Sequence, residues 1–369
     1  MEGYVAHLCG EIASVQSRAQ ALQAELPRVV DTIYLGGGTP SLLTAAQVQR
    51  LFGALRAEFE IAADPEITLE CAPGQLEDGT LHALLESGVN RVSFGVQSFV
   101  DSEAQAVGRL HTRKICLHEI ARLRGQGIHD INVDLIAGLP GQTAASWRES
   151  VEVAIASGVP HVSLYMLEVD EDSRLGREVL AAGIRYGAGR VPDEDSIAEW
   201  YGAACEWLEG AGIRQYEISN FARERHRSRH NVKYWKRAPY LGFGLDAASM
   251  LRSEDDVIRF ANSSELDMYM MGDSGNALPV LADRPPVERI CRKAQFEEAI
   301  FLGLRMNDGV SFSALWRDFG EELVRGLNDP LDELCEAGLV ERDAERLWLT
   351  AHGRMASNEV FSRLLVVPA

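Results

Sequence analysis

The chain has 369 residues, with 36 Lys and Arg against 55 Asp and Glu, a net charge of −19, and 46% hydrophobic residues. Such a composition is typical of a globular protein with a large core in two or three domains, and its acidity opposes long-range attraction to nucleic acid. No apolar run is as long as a membrane span, and the first residues do not resemble a signal peptide. We therefore expect a cytoplasmic protein that binds no nucleic acid.

In chain order, five apolar, β-rich runs alternate with helical stretches: "TIYL", "EITLEC", "RVSFGV", "INVDLIAG" and "HVSLYML". This alternation predicts five consecutive parallel strands with helices covering their outer side, in either a barrel or an open sheet. Thr44 and Gln47 are spaced as a capping box for the helix after the first strand. Gly158 is expected to end the helix that begins near Thr143.

After about Leu180 the alternation fades into the helical "DSIAEWYGAACEWLEGAG", the strand-like "QYEISNF" and a basic island from Ala222 to Arg237. From about Pro285 there are further helices, including one that ends at Gly338, then two short strands and a helix led by Thr350. This last pattern is typical of a winged helix, and its acidity favours a packing role over DNA binding. We predict domains at 1–180, 181–284 and 285–369.

The six cysteines are far apart in the sequence and form no C-x-x-C pair: Cys9, Cys71, Cys116, Cys205, Cys291 and Cys335. This spacing predicts no metal site, because metal-binding thiolates usually come in closely spaced pairs. We expect each cysteine to be a buried, reduced thiol.

Polar residues stand where each predicted strand ends. The first strand is followed by "GGGTPS", whose spacing fits neither the dinucleotide nor the P-loop fingerprint. The later strands end at Glu70, Gln97, Asp134 and Glu168, and Arg109 follows shortly after Gln97. Because the carboxyl ends of parallel strands meet at one edge, these groups should converge there. They would suit a ligand that combines an amino acid with a nucleoside, as S-adenosylmethionine does.

Five segments together carry a family resemblance: "YLGGGTPS", "GVQSF", "DLIAGLP", "YEISNFA" and "RHNVKYW". They resemble the radical S-adenosylmethionine family of oxygen-independent coproporphyrinogen III oxidases, and most closely its HemW haem-chaperone branch. The resemblance implies an α/β fold with a partial, TIM-like (β/α)6 barrel over 1–180, here without its first strand. It further implies an accessory region that carries a haem motif over 181–284, and a helical C-terminal domain.

The resemblance also implies two sets of binding residues and no catalytic residue. Gly37, Gly38 and Thr39 would hold the methionine end of S-adenosylmethionine, Asp134 its ribose, and backbone near Glu168 its adenine. The remaining polar contacts to this cofactor would come from Glu70, Gln97 and Arg109. The haem motif of the chaperone branch would be formed by His230, Asn231, Tyr234 and Trp235. One local departure is Ala72, where the family usually has Asn.

A larger departure concerns iron. The family places C-x-x-x-C-x-x-C after its first strand, and the three thiolates bind a [4Fe-4S] cluster. The given sequence begins after that motif, so we expect the cluster only in a full-length form. A misplaced start and a natural clusterless protein both remain open.

The basic island supplies what haem requires. His230 is the candidate axial ligand, with His226 as its rival if the segment is helical. Tyr234 and Trp235 could flank the haem plate. Four basic side chains could meet the propionates: Arg229, Lys233, Lys236 and Arg237.

The predicted function is haem delivery to acceptor proteins, with S-adenosylmethionine and haem as cofactors. An acceptor could bring the chain to a membrane surface, and the sequence does not give the oligomeric state. The alternative is an oxygen-independent coproporphyrinogen III oxidase that decarboxylates a tetrapyrrole by radical chemistry. The H-N-x-x-Y-W motif at His230, Asn231, Tyr234 and Trp235 resembles the haem motif of the chaperone branch, and so favours the chaperone over this alternative. A scaffold that binds neither ligand is the third possibility.

Overall fold

The computed structural model describes residues 1–168, 177–178, 181, 185–254, 256–271 and 287–365. In the N-terminal part, the helices are α1 (Glu2–Ala13), α2 (Val15–Leu22), α3 (Ala45–Glu58), α4 (Asp78–Glu86), α5 (Asp101–Ala106), α6 (Arg113–Gly125) and α7 (Ala144–Ser157). The strands between them are β1 (Val29–Leu35), β2 (Glu60–Cys71), β3 (Arg91–Gln97), β4 (Asp130–Ala137) and β5 (His161–Met166). Short 3-10 turns occur at Pro40–Leu42 and Arg185–Arg190.

The later elements include short strands as well as helices. The helices are α8 (Glu194–Gly210), α9 (Arg229–Trp235), α10 (Leu266–Met271), α11 (Arg292–Arg305), α12 (Phe312–Phe319), α13 (Glu321–Arg325), α14 (Asn328–Glu336), α15 (Ala351–Met355) and α16 (Ser357–Leu365). The strands are β6 (Arg214–Glu217), β7 (Asn220–Ala222), β8 (Ala248–Arg252), β9 (Val257–Ala261), β10 (Glu288–Ile290), β11 (Val310–Ser311), β12 (Val340–Arg342) and β13 (Arg346–Leu349).

The main sheet has seven strands in the order β1-β2-β3-β4-β5-β7-β6. Strands β1 to β5 pair in parallel, which confirms the five predicted strands. The strand-like "QYEISNF" forms β6 and β7, which extend the same sheet in the antiparallel direction. The sheet curls into a half-barrel with helices outside, as the family resemblance implied; the strand pattern alone had left a barrel and an open sheet as alternatives. Part of the predicted accessory region therefore belongs to the main sheet.

The two faces of the half-barrel differ in polarity. The outer face packs against the helices in a large apolar core that includes Phe52, Leu69 and Trp147. The inner face carries polar residues at alternate positions, since side chains along a strand point to opposite faces. They include Glu66, Thr68, Glu70, Arg91, Ser93, Asn132, Asp134, His161 and Ser163. A polar inner face is unusual for a core, and it is where ligand-binding groups can collect.

The predicted helix caps are present. Thr44 and Gln47 form both hydrogen bonds of a capping box at the start of α3. The side chain of Thr143 caps α7, and Gly158 ends that helix in the left-handed conformation at φ 73°. These local signals were predictable because each lies within a few residues of the group it satisfies.

Two smaller sheets complete the described fold. The sheet β10-β9-β8 packs against α2 through a cluster that includes Leu22, Leu251 and Ile258. The sheet β11-β13-β12 lies among the C-terminal helices, which agrees with the predicted winged-helix-like region. The predicted domain boundaries at residues 180 and 284 lie outside the described residues. None of the described helices is both long and apolar enough to cross a bilayer.

The six cysteines are free thiols, but the prediction that all are buried is wrong. Cys71 and Cys116 are buried, whereas Cys291 is exposed and the other three are partly exposed. Cys291 precedes the first turn of α11, directly after the short strand β10, so no core surrounds it.

Candidate functional site

The glycine-rich turn after β1 depends on glycine at two positions. Gly37 and Gly38 have φ values of 73° and 62°, in the left-handed region that side chains disfavour. No heavy atom lies within 4 Å of the place where a Cβ on either residue would stand. The turn is exposed and precedes Thr39 and a 3-10 turn. It therefore offers bare backbone to open space, as a ligand-binding turn should.

Glu70, at the end of β2, is held beside this turn. Its carboxylate accepts a hydrogen bond from the Tyr34 hydroxyl at 2.6 Å and from the backbone N–H of Gly37 at 3.2 Å. A Cβ on Gly36 would lie 2.7 Å from the ring of Tyr34 and 3.0 Å from Glu70 Oε2. The structure thus brings Glu70 together with the glycine turn.

Gln97 and Arg109 form a second pair at the same edge. A Cβ on Gly95 would lie 3.2 Å from Gln97 Nε2 and 3.4 Å from Arg109 Nη2, so both side chains lie over that glycine. Gln97 has a φ of 67°, a strained backbone conformation that often occurs at ligand sites. Within the described part of the chain, neither side chain has a hydrogen bond or ion pair. They are available to a ligand that carries a carboxylate.

Asp134, on β4, accepts hydrogen bonds from Asn132 Nδ2 at 2.7 Å and Ser93 Oγ at 3.4 Å. Burial raises the pKa of Asp134 to about 6, and the nearby charge of Glu70 acts in the same direction. Hydrogen bonds from Ser163 and Asn132 oppose this rise in the pKa. Asp134 and Glu70 therefore share one electrostatic environment, as two groups at one edge should.

Glu168 is less informative. It is exposed and lies just before residues outside the described part. Among the described residues it has no hydrogen bond or ion pair. Its predicted place near adenine stays a prediction.

Sequence reasoning missed two tyrosines at this edge. Tyr34 donates to Glu70, and the pKa of Tyr165 is raised by burial and by the charge of Asp134. The signal that could have found them is the alternation along each strand. Tyr34 stands two residues after Thr32 on β1, and Tyr165 stands two after Ser163 on β5, which places each on the inner face.

The edge fits S-adenosylmethionine in its chemistry. Glu70 can accept from an ammonium group, Gln97 and Arg109 can bind a carboxylate, and Asp134 can accept from ribose hydroxyls. The residues that the structure describes do not match a [4Fe-4S] cluster. The described part contains no group of three His, Cys, Asp or Glu side chains that could hold a metal ion.

The predicted haem motif forms α9, at the opposite end of the inner face. The carboxylate of Glu66 accepts from the backbone N–H groups of Arg229 at 2.9 Å and His230 at 2.8 Å. Ser228 caps the same helix by accepting from the N–H of Asn231 at 3.2 Å. The first turn of α9 is therefore fixed to β2, because a carboxylate satisfies its free N–H groups.

His230 lies between β1 and its own helix. Its ring stacks on Tyr34, with centroids 4.9 Å apart and planes at 22°. Nδ1 is 3.1 Å from Thr32 Oγ1, and Nε2 is 3.2 Å from the Tyr234 hydroxyl. Burial and the positive charge of Lys233 lower the pKa of His230 to about 4. The imidazole is therefore neutral at pH 7, the form that binds metal.

The other motif residues point to different surroundings. Tyr234 packs edge-on against Tyr240 at 4.6 Å. Trp235 packs with Met306 and lies under the Arg305 guanidinium at 4.3 Å. The buried Trp235 Nε1 has no hydrogen-bond partner among the described residues. The structure thus brings His230 and Tyr234 together, with Trp235 in a separate cluster.

Three of the four basic residues proposed for propionates have acidic partners. Arg229 lies 3.6 Å from both Asp31 and Asp64, Lys233 pairs with Asp31, and Arg237 lies 4.0 Å from Glu298. The fourth basic residue, Lys236, is exposed and has no acidic partner in the described part of the chain.

The rival ligand His226 lies outside α9, because that helix begins only at Arg229. Its Nδ1 pairs with Asp130. The two histidines are therefore not on one helical face.

Two parts of the chain match known protein families. Residues 14–154 match the Radical SAM superfamily, and residues 291–356 match the HemN C-terminal domain. The chain is 32% identical to the heme chaperone HemW of Lactococcus lactis, over 98% of this chain and 95% of that protein. It is 29% identical to HemW of Escherichia coli, over 99% of this chain and 90% of that protein.

Among solved structures, coproporphyrinogen III oxidase (HemN) from Escherichia coli, a radical SAM enzyme, is similar with a TM-score of 0.79 and 24% identity. The match covers 99% of this chain and 83% of that one, and at this identity it shows the fold alone. The sequence relatives are more specific, since one of them combines an identity above 30% with nearly complete coverage of both chains. This chain belongs to the HemW haem-chaperone family of radical S-adenosylmethionine proteins.

Proposed function

We propose that this chain is a haem chaperone of the radical S-adenosylmethionine type, which binds haem at α9 and delivers it to an acceptor protein. The observation that carries the proposal is the similarity to heme chaperone HemW of Lactococcus lactis over 98% of this chain. We further propose that it acts in the cytoplasm, where an acceptor could bring it to a membrane surface. The fold likeness to coproporphyrinogen III oxidase does not by itself favour decarboxylation as the function.

We place S-adenosylmethionine at the carboxyl edge of the half-barrel. Arg109 and Gln97 would bind its carboxylate, Glu70 and the turn at Gly37 its ammonium group, and Asp134 its ribose. Gly38 and Thr39 would line the methionine end, and backbone near Glu168 the adenine. When bound, this cofactor supplies a sulfonium whose carbon–sulfur bonds can be cleaved by reduction. The chain's own residues bind and orient it, and no step through a cluster is assigned.

We place haem against α9, with His230 as the axial ligand. The imidazole is neutral at pH 7 because of its lowered pKa, so no proton competes with iron. On haem binding, Nε2 would lose its contact with Tyr234 and bind the iron. The contact between Thr32 and Nδ1 would remain and keep the ring in its orientation. Lys236 is the strongest candidate for a propionate, since it has no acidic partner in the described residues. Asn231 and Trp235 would support the helix.

The test is a haem titration followed by absorbance. The wild-type chain should give a saturable Soret shift. His230→Ala should weaken haem binding by about tenfold or more or change the spectrum, because the axial bond is lost. His226→Ala is the matched control, since it removes an imidazole four positions away that pairs with Asp130. If the His230 variant keeps the wild-type spectrum and affinity, the axial-ligand assignment is wrong.

A further inference from the structure

We infer that Tyr34 is a positioning residue common to both proposed ligand sites: its hydroxyl orients Glu70 in the cofactor site, and its ring holds the imidazole of His230. The inference rests on the proposed function and adds a physical connection between its two halves. Neither the motifs nor the comparisons assign a role to Tyr34.

The hydroxyl half rests on a short hydrogen bond. Tyr34 donates to Glu70 Oε1 at 2.6 Å, which is the length expected for a hydroxyl that donates to a carboxylate. The other carboxylate oxygen accepts from Gly37 N–H at 3.2 Å. Two donors, one on each oxygen, therefore fix the plane of the Glu70 carboxylate. Burial and the charge of Glu70 raise the pKa of Tyr34, so its hydroxyl stays protonated and able to donate.

The ring half rests on stacking. The rings of Tyr34 and His230 are nearly parallel, at 22° and a centroid distance of 4.9 Å. Thr32 is two residues earlier on β1, so it lies on the same face and contacts His230 Nδ1 at 3.1 Å. Strand β1 thus orients the imidazole by one hydrogen bond and one aromatic face.

The turn restricts Tyr34 from a third side. A Cβ on Gly36 would lie 2.7 Å from Tyr34 Cε1, so the backbone of the turn lies close to the ring edge. Because carboxylate, imidazole and turn all contact one side chain, Tyr34 cannot rotate without disturbing at least one of them. If Glu70 moved on cofactor binding, the Tyr34 ring that orients His230 would consequently move as well.

The test uses variants that separate the hydroxyl of Tyr34, which contacts Glu70, from its ring, which contacts His230. Tyr34→Phe keeps the ring and removes the hydroxyl, whereas Tyr34→Leu and Tyr34→Met remove both. Thr32→Val removes only the contact to His230 Nδ1. Tyr4→Phe is a matched control, because it removes a tyrosine hydroxyl that binds the N–H of Leu245. Binding of S-adenosylmethionine is measured by calorimetry, haem binding by the Soret band, and folding by circular dichroism.

Tyr34→Phe should weaken S-adenosylmethionine by about tenfold, the loss expected for one hydrogen bond to a charged group, with the haem spectrum unchanged. Combined with Glu70→Ala, which removes the acceptor, it should cost little more than Glu70→Ala alone. Tyr34→Leu or Tyr34→Met, whichever folds, should also shift the Soret maximum or weaken haem. Thr32→Val should change haem binding but leave S-adenosylmethionine affinity unchanged.

Wild-type cofactor affinity in Tyr34→Phe, or wild-type haem binding in the folded aliphatic variant, overturns the inference. Fully additive effects of Tyr34→Phe and Glu70→Ala overturn it as well. Failure of the proposed function is a different result, because the wild-type chain itself would then show no saturable Soret shift.

Discussion

The two ends of the half-barrel's inner face use similar residues in different ways. At the end covered by α9, several polar side chains have partners within the protein: His161 contacts Asn132 Oδ1 at 2.6 Å and the Tyr216 hydroxyl at 2.9 Å. Arg91 donates to the His226 carbonyl at 3.1 Å. At the carboxyl edge, Gln97 and Arg109 have no partner in the described part of the chain.

This difference separates structural polar groups from those that we propose bind a ligand. A buried polar group must be paired, since leaving it unpaired costs about 1–3 kcal/mol. Glu66 fixes α9 to the sheet, whereas Gln97 and Arg109 at the edge, which have no partner among the described residues, remain available for a ligand. His230 lies between the two regions, because its ring is hydrogen-bonded on both nitrogens and also contacts Tyr34.

The largest expected effect concerns iron at the open edge. If this edge recognises an organic ligand through side chains alone, the chain should take up no stoichiometric [4Fe-4S] cluster on anaerobic reconstitution. A cluster needs closely placed thiolates, and the six cysteines are spread over several elements. The measurement is iron and sulfide content together with cluster absorbance.

The control for that experiment is an N-terminally extended chain that carries the C-x-x-x-C-x-x-C motif, which should take up the cluster. Stoichiometric iron and sulfide in the given chain would contradict the prediction. In that case the open edge would hold metal ligands that its spacing does not reveal.

A second prediction compares the two regions through two glutamates of β2, Glu66 at the end covered by α9 and Glu70 at the carboxyl edge. Glu66→Ala should destabilise the fold by about 3 kcal/mol, because it leaves two backbone N–H groups of α9 without their acceptor. Glu70→Ala should cost less stability but weaken S-adenosylmethionine more. Urea unfolding and calorimetric titration measure the two effects.

The conservative variants Glu66→Gln and Glu70→Gln serve as controls, since each keeps an acceptor oxygen of the same reach. The comparison of the two ends breaks down if Glu70→Ala destabilises the fold as much as Glu66→Ala does. It also breaks down if Glu66→Ala weakens the cofactor as much as Glu70→Ala does.

The sequence predicted the carboxyl edge well, because strand ends in a parallel sheet meet wherever the strands lie. Glu70 and the glycine turn were assigned to one place from strand order alone, and the structure brings them together. The inner contacts of α9 were not predictable in this way. Thr32 and His230 are 198 residues apart, and only the tertiary fold brings them together.

The basic island shows the same limit for charge. Its sequence suggests free cations, yet Arg229 and Lys233 both pair with Asp31 on β1. The partner lies almost two hundred residues earlier, so no local pattern could reveal it. The cysteine prediction failed for a related reason, since the exposure of Cys291 depends on where a short strand ends.

The smallest expected effect is the pH dependence of Asp134, at the carboxyl edge. Its pKa is raised from 3.8 to about 6, so the folded protein holds this proton more tightly than the unfolded chain does. The associated stability is fully present below the unfolded pKa and is lost as the pH rises through about 6. Asp134→Asn cannot ionise and should therefore lose that pH dependence in urea unfolding.

Ligand binding should change in the opposite direction. A carboxylate accepts ribose hydroxyls more strongly than a carboxylic acid, so S-adenosylmethionine should bind a few-fold more tightly to the wild-type chain at about pH 7.5 than at about pH 5. Asp134→Asn should bind with nearly the same affinity at both pH values. At about pH 7.5 it should bind more weakly than the wild-type chain by about 1–2 kcal/mol. Calorimetry at both pH values measures this. Equal pH dependence in the wild type and Asp134→Asn would show that Asp134 belongs with the structural groups of the paired end.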